Sequence, residues 1–290
     1  MSELSRPIGF PGAVTAPGYR AVFSNLLPHD ARVLQILFLA SLLSVGVFIR
    51  DFALLPTQMA LTFAAGVTTQ ALFIRALGLH KVGYLSAVIT CFGLSMLVRA
   101  DSLWVHPLIA ALAISAKFVI RVNGKHVFNP ANLGAMIGVL AIPGAWVSPG
   151  QWGSDLALFG WFVGLGMIVA ARAERYDVSL AFIGTFATLL TLRVCWLGQS
   201  WSVLGHQLES GALLLFTFFM ISDPMTTPNR RSARIGYAIV VAAVAFAWQY
   251  VFFRPNGLIW ALFLATPLVP FIDRWVPAVK FAWNKIGQNN

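Results

Sequence analysis

Long apolar stretches alternate along the chain with short polar segments that hold most of its charged residues and prolines. Apolar runs of about 17 to 25 residues cross the hydrocarbon core of a bilayer when they fold as α-helices. The pattern therefore predicts an all-α polytopic membrane protein with about ten transmembrane helices. These fall at residues 32–49, 57–76, 83–98, 103–120, 130–142, 155–172, 178–194, 207–222, 233–252 and 258–272. The third and fifth are short, so we expect them to be tilted, broken or partly covered by protein.

The composition agrees with a membrane protein and excludes a soluble globular one. Hydrophobic residues make up 58% of the chain and charged residues only 10%, whereas soluble domains are about one quarter charged. If the N-terminus is inside, ten spans leave sixteen of the twenty Lys and Arg residues on the inner side. Positively charged loops stay cytoplasmic. The charge pattern thus predicts a multi-pass protein of the bacterial cytoplasmic (inner) membrane with both termini in the cytoplasm, in contact with membrane lipid and not with nucleic acid.

Three regions follow from this topology. Residues 1–31 form a cytoplasmic N-terminal segment, which contains four prolines and lacks the apolar core of a cleavable signal peptide. Residues 32–274 form a single membrane domain. Residues 275–290 form a cytoplasmic tail, which we expect to lie on the inner surface as a short amphipathic segment.

The membrane domain divides into two similar halves, at about 32–142 and 155–272. Asp101 and Asp223 each end the third span of a half, and Pro130 and Pro255 each open the fifth, at offsets of about 122 to 125 residues. Each half has an odd number of spans. A duplicated half must then be inverted in the membrane, so the pattern predicts two inverted five-helix repeats.

The strongest polar interruption is the segment 218–231, where an apolar run meets Asp223, two prolines, threonines and arginines. Asp223 followed by Pro224 is typical of a helix N-cap and first helical residue, as is Asn129 followed by Pro130. Helix N-termini beside arginines favour an anionic or electron-rich ligand group. The candidate cofactor-binding residues on this inner face are Asn129, Pro130, Asn132, Asp223, Thr226, Thr227, Arg230 and Arg231. The alternative is that the caps are only structural and the arginines only follow the positive-inside rule.

Metal and haem chemistry has little support in the sequence. Cys91 and Cys195 are the two cysteines, and an iron–sulfur cluster usually takes four. Both are expected to be small buried hydrophobic residues. A b-type haem between His106 and His206 is a further alternative. We assign no metal site and no catalytic residue.

Several motifs, in one order, resemble the D subunit of Rnf electron-transport complexes and the related B subunit of Na⁺-pumping NADH:quinone oxidoreductase. The resemblance covers roughly residues 30–275. It rests on the segments Lys125–Gly134, Pro149–Gly153, Ser210–Leu215 with Phe218–Pro224, Pro255–Gly257 and Leu268–Trp275. The resemblance implies a ten-span inverted repeat similar to that of urea transporters, electron transport coupled to ion transport, bound flavin and redox partner subunits.

One departure from the family concerns its covalent FMN. Family members usually carry FMN as a phosphoester on the last residue of a Ser/Thr-Gly-Ala-Thr motif in the outer loop between the fifth and sixth spans. Here that loop, residues 143–154, contains no threonine, and the similar Ser210-Gly211-Ala212 is followed by Leu213. Covalent FMN is therefore not expected, although a non-covalent riboflavin or FMN is compatible with the resemblance. The chain resembles a standalone or trimmed member of the family.

The sequence thus predicts a membrane subunit of an Rnf/Nqr-like electron-transport system. It would hold a non-covalent flavin or act as a scaffold for redox partner subunits, and at most carry electrons without being catalytic itself. A different class remains open, namely a channel or transporter for a small solute with a urea-transporter-like fold. A purely structural membrane scaffold is the third possibility.

Overall fold

The computed structural model describes residues 30–49, 56–79, 82–148 and 156–281. Most of the predicted N-terminal segment and the end of the predicted tail, 282–290, lie outside the described residues. So does the outer-loop motif Pro149–Gly153. Within the described ranges the chain is mostly helical, as the apolar pattern predicts.

Among its described residues, the first half of the chain contributes five helices. They are α1 (Ala31–Ile49), α2 (Pro56–Ala76), α3 (Leu85–Leu97), α4 (Val105–Val119) and α5 (Pro130–Ala141). At the start of α1 the carboxylate of Asp30 accepts the backbone N–H of Arg32 at 2.9 Å. This satisfies one of the donors that a helix leaves unpaired at its first turn.

The second half contains seven further helical pieces. They are α6 (Leu156–Arg172), α7 (Tyr176–Leu197), α8 (Trp201–Leu208), α9 (Gly211–Leu215), α10 (Arg231–Phe246), α11 (Gly257–Ala265) and α12 (Val269–Trp275). A π-helical turn, Phe216–Met220, continues α9, and a second one, Ala247–Val251, continues α10. The 3₁₀ turn Thr266–Leu268 joins α11 to α12. α7 ends at Gly198, whose φ of 62° is a left-handed conformation that glycine adopts without steric cost.

A helix lies at every one of the ten predicted positions, but their lengths differ. Among the described residues, five are long and apolar enough to cross a membrane: Ala31–Phe48, Pro56–Ala76, Tyr176–Leu197, Arg231–Val251 and Gly257–Trp275. A sixth span results if α8 and the segment Gly211–Met220, bent by 48°, are counted together. The remaining apolar helices are shorter: Leu85–Leu97, Val105–Val119, Pro130–Ala141 and Phe159–Arg172. The structure therefore supports a multi-pass helical membrane protein, and the count of ten spans stays a prediction.

Two short antiparallel strand pairs depart from a purely helical architecture. β1 (Val98–Ala100) pairs with β4 (Ala145–Val147), with Arg99 opposite Trp146. This pair brings together the chain leaving α3 and the chain leaving α5. β2 (Arg121–Val122) pairs with β3 (Lys125–His126) in a hairpin whose turn residues Asn123 and Gly124 both have positive φ. Runs of two or three residues carry too little alternation to be predicted as strands.

The core has two parts. The larger cluster joins α4 and α5 of the first half to α7, α10 and α11 of the second, through residues such as Ile109, Met136, Phe182, Val241 and Leu262. The smaller cluster lies between α1, α6 and the α9 segment, and includes Phe38, Phe162 and Phe218. Both clusters use residues from both halves of the chain.

Candidate functional site

The polar segment after α9 forms a turn, and the prediction that Asp223 caps a helix is wrong. The π-helical turn closes with the N–H of Ile221 donating to the carbonyl of Phe216 at 3.0 Å. Asp223 Oδ1 then accepts the N–H of Met225, two residues on, at 2.9 Å. A side chain that bonds the second residue after it stabilises a turn. The next helix, α10, begins only at Arg231.

Asn129 does cap a helix, as predicted. Its Oδ1 accepts the N–H of Asn132 at 3.1 Å, and Pro130 occupies the first helical position of α5. Its Nδ2 is then available for another partner and donates to Asp223 Oδ2 at 3.2 Å. The two polar segments that the sequence singled out, one from each half, therefore meet side chain to side chain.

This contact borders a cavity of about 430 Å³. Asn129, Pro130, Ser222 and Asp223 contribute to its lining. Most of the remaining wall is apolar and partly aromatic, with Leu39, Ile89, Met96, Phe118, Val169, Phe218, Phe219 and Met220 among the lining residues. Small-molecule sites commonly have volumes of about 300–1,000 Å³ and apolar walls with a few converging polar groups. The cavity has both properties.

Cationic side chains are among the lining residues of this cavity. Lys117, in the last turn of α4, is only 9% exposed and lines the cavity. Its ammonium donates to Gln70 Oε1 of α2 at 2.8 Å and to Ser86 Oγ of α3 at 2.7 Å. Arg32, Arg121 and His126 also line it. Lys117 is not among the site residues predicted from the sequence, although a lysine inside a predicted span is itself a signal of a functional site.

His126, the last residue of β3, also lines the cavity. The Nδ1 atom of His126 lies 2.9 Å from the carbonyl oxygen of Phe128, to which it donates in the corresponding tautomer. Burial lowers the pKa of His126 below its ordinary value, and the nearby Asp223 carboxylate partly opposes this. His126 is therefore a neutral lining group at physiological pH.

The two predicted threonines lie behind the cavity. Thr227 Oγ1 donates to the carbonyl of Asp223 at 3.1 Å and accepts from Arg175 Nε at 3.1 Å. Thr226 is buried and its hydroxyl lies 3.4 Å from the same carbonyl. Burial lowers the pKa of Arg175 to about 10, and neighbouring Arg234 adds to the effect. These contacts hold the turn in shape and do not reach the cavity.

The two predicted arginines are placed further out, at the start of α10. Arg230 is exposed, and Arg231 forms an ion pair with Asp177 at 3.4 Å while its side chain stays 66% exposed. The buried partner of Asp177 is Arg234, with an N–O distance of 2.7 Å. Neither Arg230 nor Arg231 lines the cavity, so their role as charge partners of a ligand stays a prediction.

A second polar cluster ties the turn to the C-terminal helix. Lys125 Nζ donates to the carbonyl of Thr227 at 2.6 Å and to Asp273 Oδ2 at 3.1 Å. Asp273 Oδ1 accepts the N–H of Asn229 at 2.8 Å. Burial lowers the pKa of Lys125, and the adjacent carboxylate of Asp273 opposes that shift. This cluster, Lys125–Asn229–Asp273, links the turn to α12, and its three residues do not line the cavity.

Asn132, another of the predicted residues, is buried within α5. Its side chain is fully buried, and neither its amide nitrogen nor its oxygen has a hydrogen-bond partner among the described residues. It does not line the cavity. Its backbone N–H, in contrast, is the group that Asn129 caps.

The remaining candidates from the sequence are dispersed. His106 is buried in α4 and His206 is exposed on α8. Cys91 is buried as expected, but Cys195 is exposed because it lies near the end of α7. Within the described ranges, no group of three His, Cys, Asp or Glu side chains is placed to hold a metal ion.

The chain is similar to one family model and to several curated proteins. Residues 146–282 match the model of the NQR2, RnfD, RnfE family. The chain is 31% identical over 130 residues to the D subunit of the ion-translocating oxidoreductase complex of Stutzerimonas stutzeri, covering 43% of this chain and 31% of that protein. It is 30% identical over 132 residues to the corresponding protein of Cronobacter sakazakii, covering 42% and 37%. The matched regions span about a third of the length of these curated relatives.

Proposed function

We propose that the protein is a member of the NQR2, RnfD, RnfE family, whose model residues 146–282 match, and that it is a membrane subunit of an Rnf-like ion-translocating oxidoreductase complex. Its relatives are subunits of such complexes. Redox partner subunits in the same membrane follow from the proposal. So do a bacterial inner-membrane location and cytoplasmic termini, which the distribution of Lys and Arg supports.

The proposal extends to a non-covalent flavin in the cavity between Asn129 and Asp223. The observation that carries it is the cavity itself, which joins the two polar segments and is large enough for a small-molecule cofactor. Phe118, Phe218 and Phe219 offer aromatic walls to a planar ring system. The Ser222 hydroxyl donates to the carbonyl of Phe218, so its oxygen can still accept a hydrogen bond from a polar edge.

A bound flavin would supply the electron-transfer chemistry, while the protein supplies binding, orientation and electrostatics. Asn129 is held in place by its cap bond and by Asp223, so its amide is pre-organised. The apolar wall keeps water away from the bound molecule. The polar clusters behind the turn keep Asp223 at the cavity rim.

The proposed architecture is the ten-span inverted repeat, and three features of the packing support it. Counterpart helices of the two halves contact each other, α1 with α6 and α5 with α11. α2 packs most extensively along α4. The corresponding helices of the second half, α7 and α10, pack along each other in the same way. α2 buries Gln58, Thr62, Gly66 and Gln70, and α7 buries, among others, the residues 120 positions later, namely Val178, Phe182, Phe186 and Leu190. Related halves should share such a pattern.

Purification tests the flavin proposal. Protein purified from cells, or reconstituted with FMN or riboflavin, should show flavin absorbance that acid precipitation releases into the supernatant. A denaturing gel viewed under ultraviolet light should be dark, because the outer loop has no threonine acceptor. Protein that stays colourless after reconstitution, or a fluorescent band at its own mass, would contradict it. Solute flux into proteoliposomes without any reductant would favour the channel or transporter instead.

A further inference from the structure

The described part of the C-terminal tail, residues 276–281, leaves α12 and continues without helical structure. At its start the N–H of Val276 donates to the carbonyl of Ile272 at 2.8 Å. Further on, Lys280 Nζ donates at 3.2 Å to the carbonyl of Asn123, in the turn of the β2–β3 hairpin. This bond ties the tail to a hairpin 157 residues earlier in the chain.

The last described residue of this segment makes a second attachment. The guanidinium of Arg175 lies over the Phe281 ring, 5.0 Å from its centroid, which is the geometry of a cation–π contact. Arg175 is itself buried and donates to Thr227 of the turn after α9. We call residues 276–281 the strap, because the segment is attached at both ends and contacts elements from both halves of the chain.

The strap forms one wall of a second, smaller cavity of about 150 Å³, through Pro277, Ala278 and Lys280. The other walls of this cavity come from the hairpin, the turn after α9 and α12. His126 and Met225 line both the smaller cavity and the larger one described above. The two cavities therefore share this part of their walls.

The strap lies at the surface, whereas the turn next to it is packed inside. Residues 277–280 are all exposed, and Val279 is 80% exposed. Thr226 and Thr227 of the turn are buried. Segments with few buried contacts open at a low cost in free energy, while packed segments stay closed. The strap is thus the wall of the smaller cavity that can move most easily.

We infer that the strap is a lid over the smaller cavity, and that its release exposes the wall of His126 and Met225 to the predicted cytoplasmic side. Because this wall also belongs to the larger cavity, lifting the tail changes one wall of the candidate site from outside the membrane. The inference goes beyond the proposed function and does not depend on what the larger cavity binds.

Thiol accessibility tests the lid in a background of Cys91→Ala and Cys195→Ala. The reporter is Thr226→Cys, because Thr226 is 1% exposed and lines only the smaller of the two cavities. The matched reporter is Ser222→Cys, because Ser222 is 5% exposed and lines only the larger one. The purified full chain in detergent is treated with a charged methanethiosulfonate reagent, and mass spectrometry measures the labelling rate of each reporter.

The combined substitutions Lys280→Ala and Phe281→Ala remove both attachments of the strap. They should label the Thr226→Cys reporter roughly tenfold faster, which corresponds to about 1.4 kcal/mol of lost closing free energy, because the rate tracks the open population when opening and closing are fast. The rate of the Ser222→Cys reporter should stay the same. The control is Val279→Ala, in the same segment but not in the lining of the smaller cavity, which should change neither rate.

Equal rates for the Thr226→Cys reporter with and without the combined substitutions would overturn the inference. So would equal acceleration of both reporters, because that result indicates a loosened protein and not a local lid. Acceleration by Val279→Ala to the same extent would also overturn it, since the attachments would then not be what holds the strap.

Size-exclusion profiles identify any variant that fails to fold. Asn229→Cys then replaces Thr226→Cys, because Asn229 lines the same cavity, and Phe281→Ala alone replaces the combined substitutions. The assay contains no flavin. Its outcome is therefore independent of the flavin proposal, which purification tests separately.

Discussion

At the scale of single residues, Asn129 is the link between local structure and the candidate site. Its oxygen caps α5 and its nitrogen bonds Asp223. An amide can do both because it carries an acceptor and a donor at its tip. An aspartate at this position could cap the helix but could not donate to Asp223.

The first prediction is that Asn129→Ala destabilises the protein more than loss of a cap alone. Removing an N-cap costs about 0.5–2 kcal/mol, and the lost hydrogen bond to a carboxylate adds about 1.5–3 kcal/mol. Thermal unfolding in detergent measures the effect. The control is Ser200→Ala, because Ser200 caps α8 at an exposed position and its hydroxyl otherwise contacts only the neighbouring hydroxyl of Ser202 within the described residues. Equal losses for the two variants would show that the Asp223 bond contributes nothing.

The second prediction concerns pH and His126. Because burial lowers its pKa below the unfolded value of about 6.5, the folded state favours the neutral ring. The neutral ring of His126 then contributes fully to the free energy of unfolding above about pH 6.5. This contribution is lost as the pH falls, because the unfolded chain binds the proton first. Wild type should therefore lose more thermal stability than His126→Gln between about pH 7.5 and about pH 5. Parallel curves for the two proteins would contradict this.

At the scale of elements, the π-helical turn after α9 shapes one wall of the cavity. It places Phe218, Phe219 and Met220 along the lining, and α6 packs directly against it. The close approach depends on Gly166 in α6. A Cβ atom there would lie 2.6 Å from Phe218 Cγ.

The third prediction follows from that contact. Gly166→Ala should push Phe218 into the cavity, destabilise the protein by about 1–3 kcal/mol through overpacking, and weaken ligand binding. Gly164→Ala is the matched control in the same helix, because a Cβ atom there meets nothing within 4 Å. It should be neutral or slightly stabilising, since alanine favours helix over glycine by about 1 kcal/mol. Thermal unfolding and flavin binding are the measurements, and equal behaviour of the two variants would show that the Gly166 contact is unimportant.

At the scale of the whole molecule, the asymmetric distribution of positive charge predicts how the chain is oriented in the membrane. Sixteen of twenty Lys and Arg fall on the predicted inner side. The turn after α9 and the Lys125–Asn229–Asp273 cluster use residues assigned to that side. The predicted topology therefore places the contact between Asn129 and Asp223 on the inner side.

The fourth prediction tests the orientation. In a background of Cys91→Ala and Cys195→Ala, cysteines introduced as Glu3→Cys and Asn289→Cys should be shielded from an impermeant thiol reagent in intact cells. Gly150→Cys, in the predicted outer loop, should be labelled. Permeabilised cells provide the control, because all three positions should then react. Labelling of either terminal position in intact cells would overturn the predicted topology.

The positions of the helices and the cap of α5 could be predicted from the sequence because they depend on local information. An apolar run long enough to form a helix is recognisable without its partners, and Asn-Pro is a local start signal. The same local signal at Asp223-Pro224 was misleading. There the Asp223 carboxylate accepts a hydrogen bond from the N–H of Met225 in a turn. The hydrogen bonds from Arg175 to Thr227 and from Lys125 to Asn229 stabilise this turn instead of a helix.

Only the tertiary structure decided which residues form the site. Asn129 and Asp223 are 94 residues apart, and Lys117 and Gln70 are 47 apart. Such pairs are set by how the helices pack, which periodicity and local propensity do not specify. Packing also placed Arg230 and Arg231 outside the cavity, although they follow Asp223 closely in sequence. The sequence by itself thus determined where the apolar helices lie and predicts which side carries the positive charge, because both depend on nearby residues and on the bilayer. The cavity arose from contacts between distant segments.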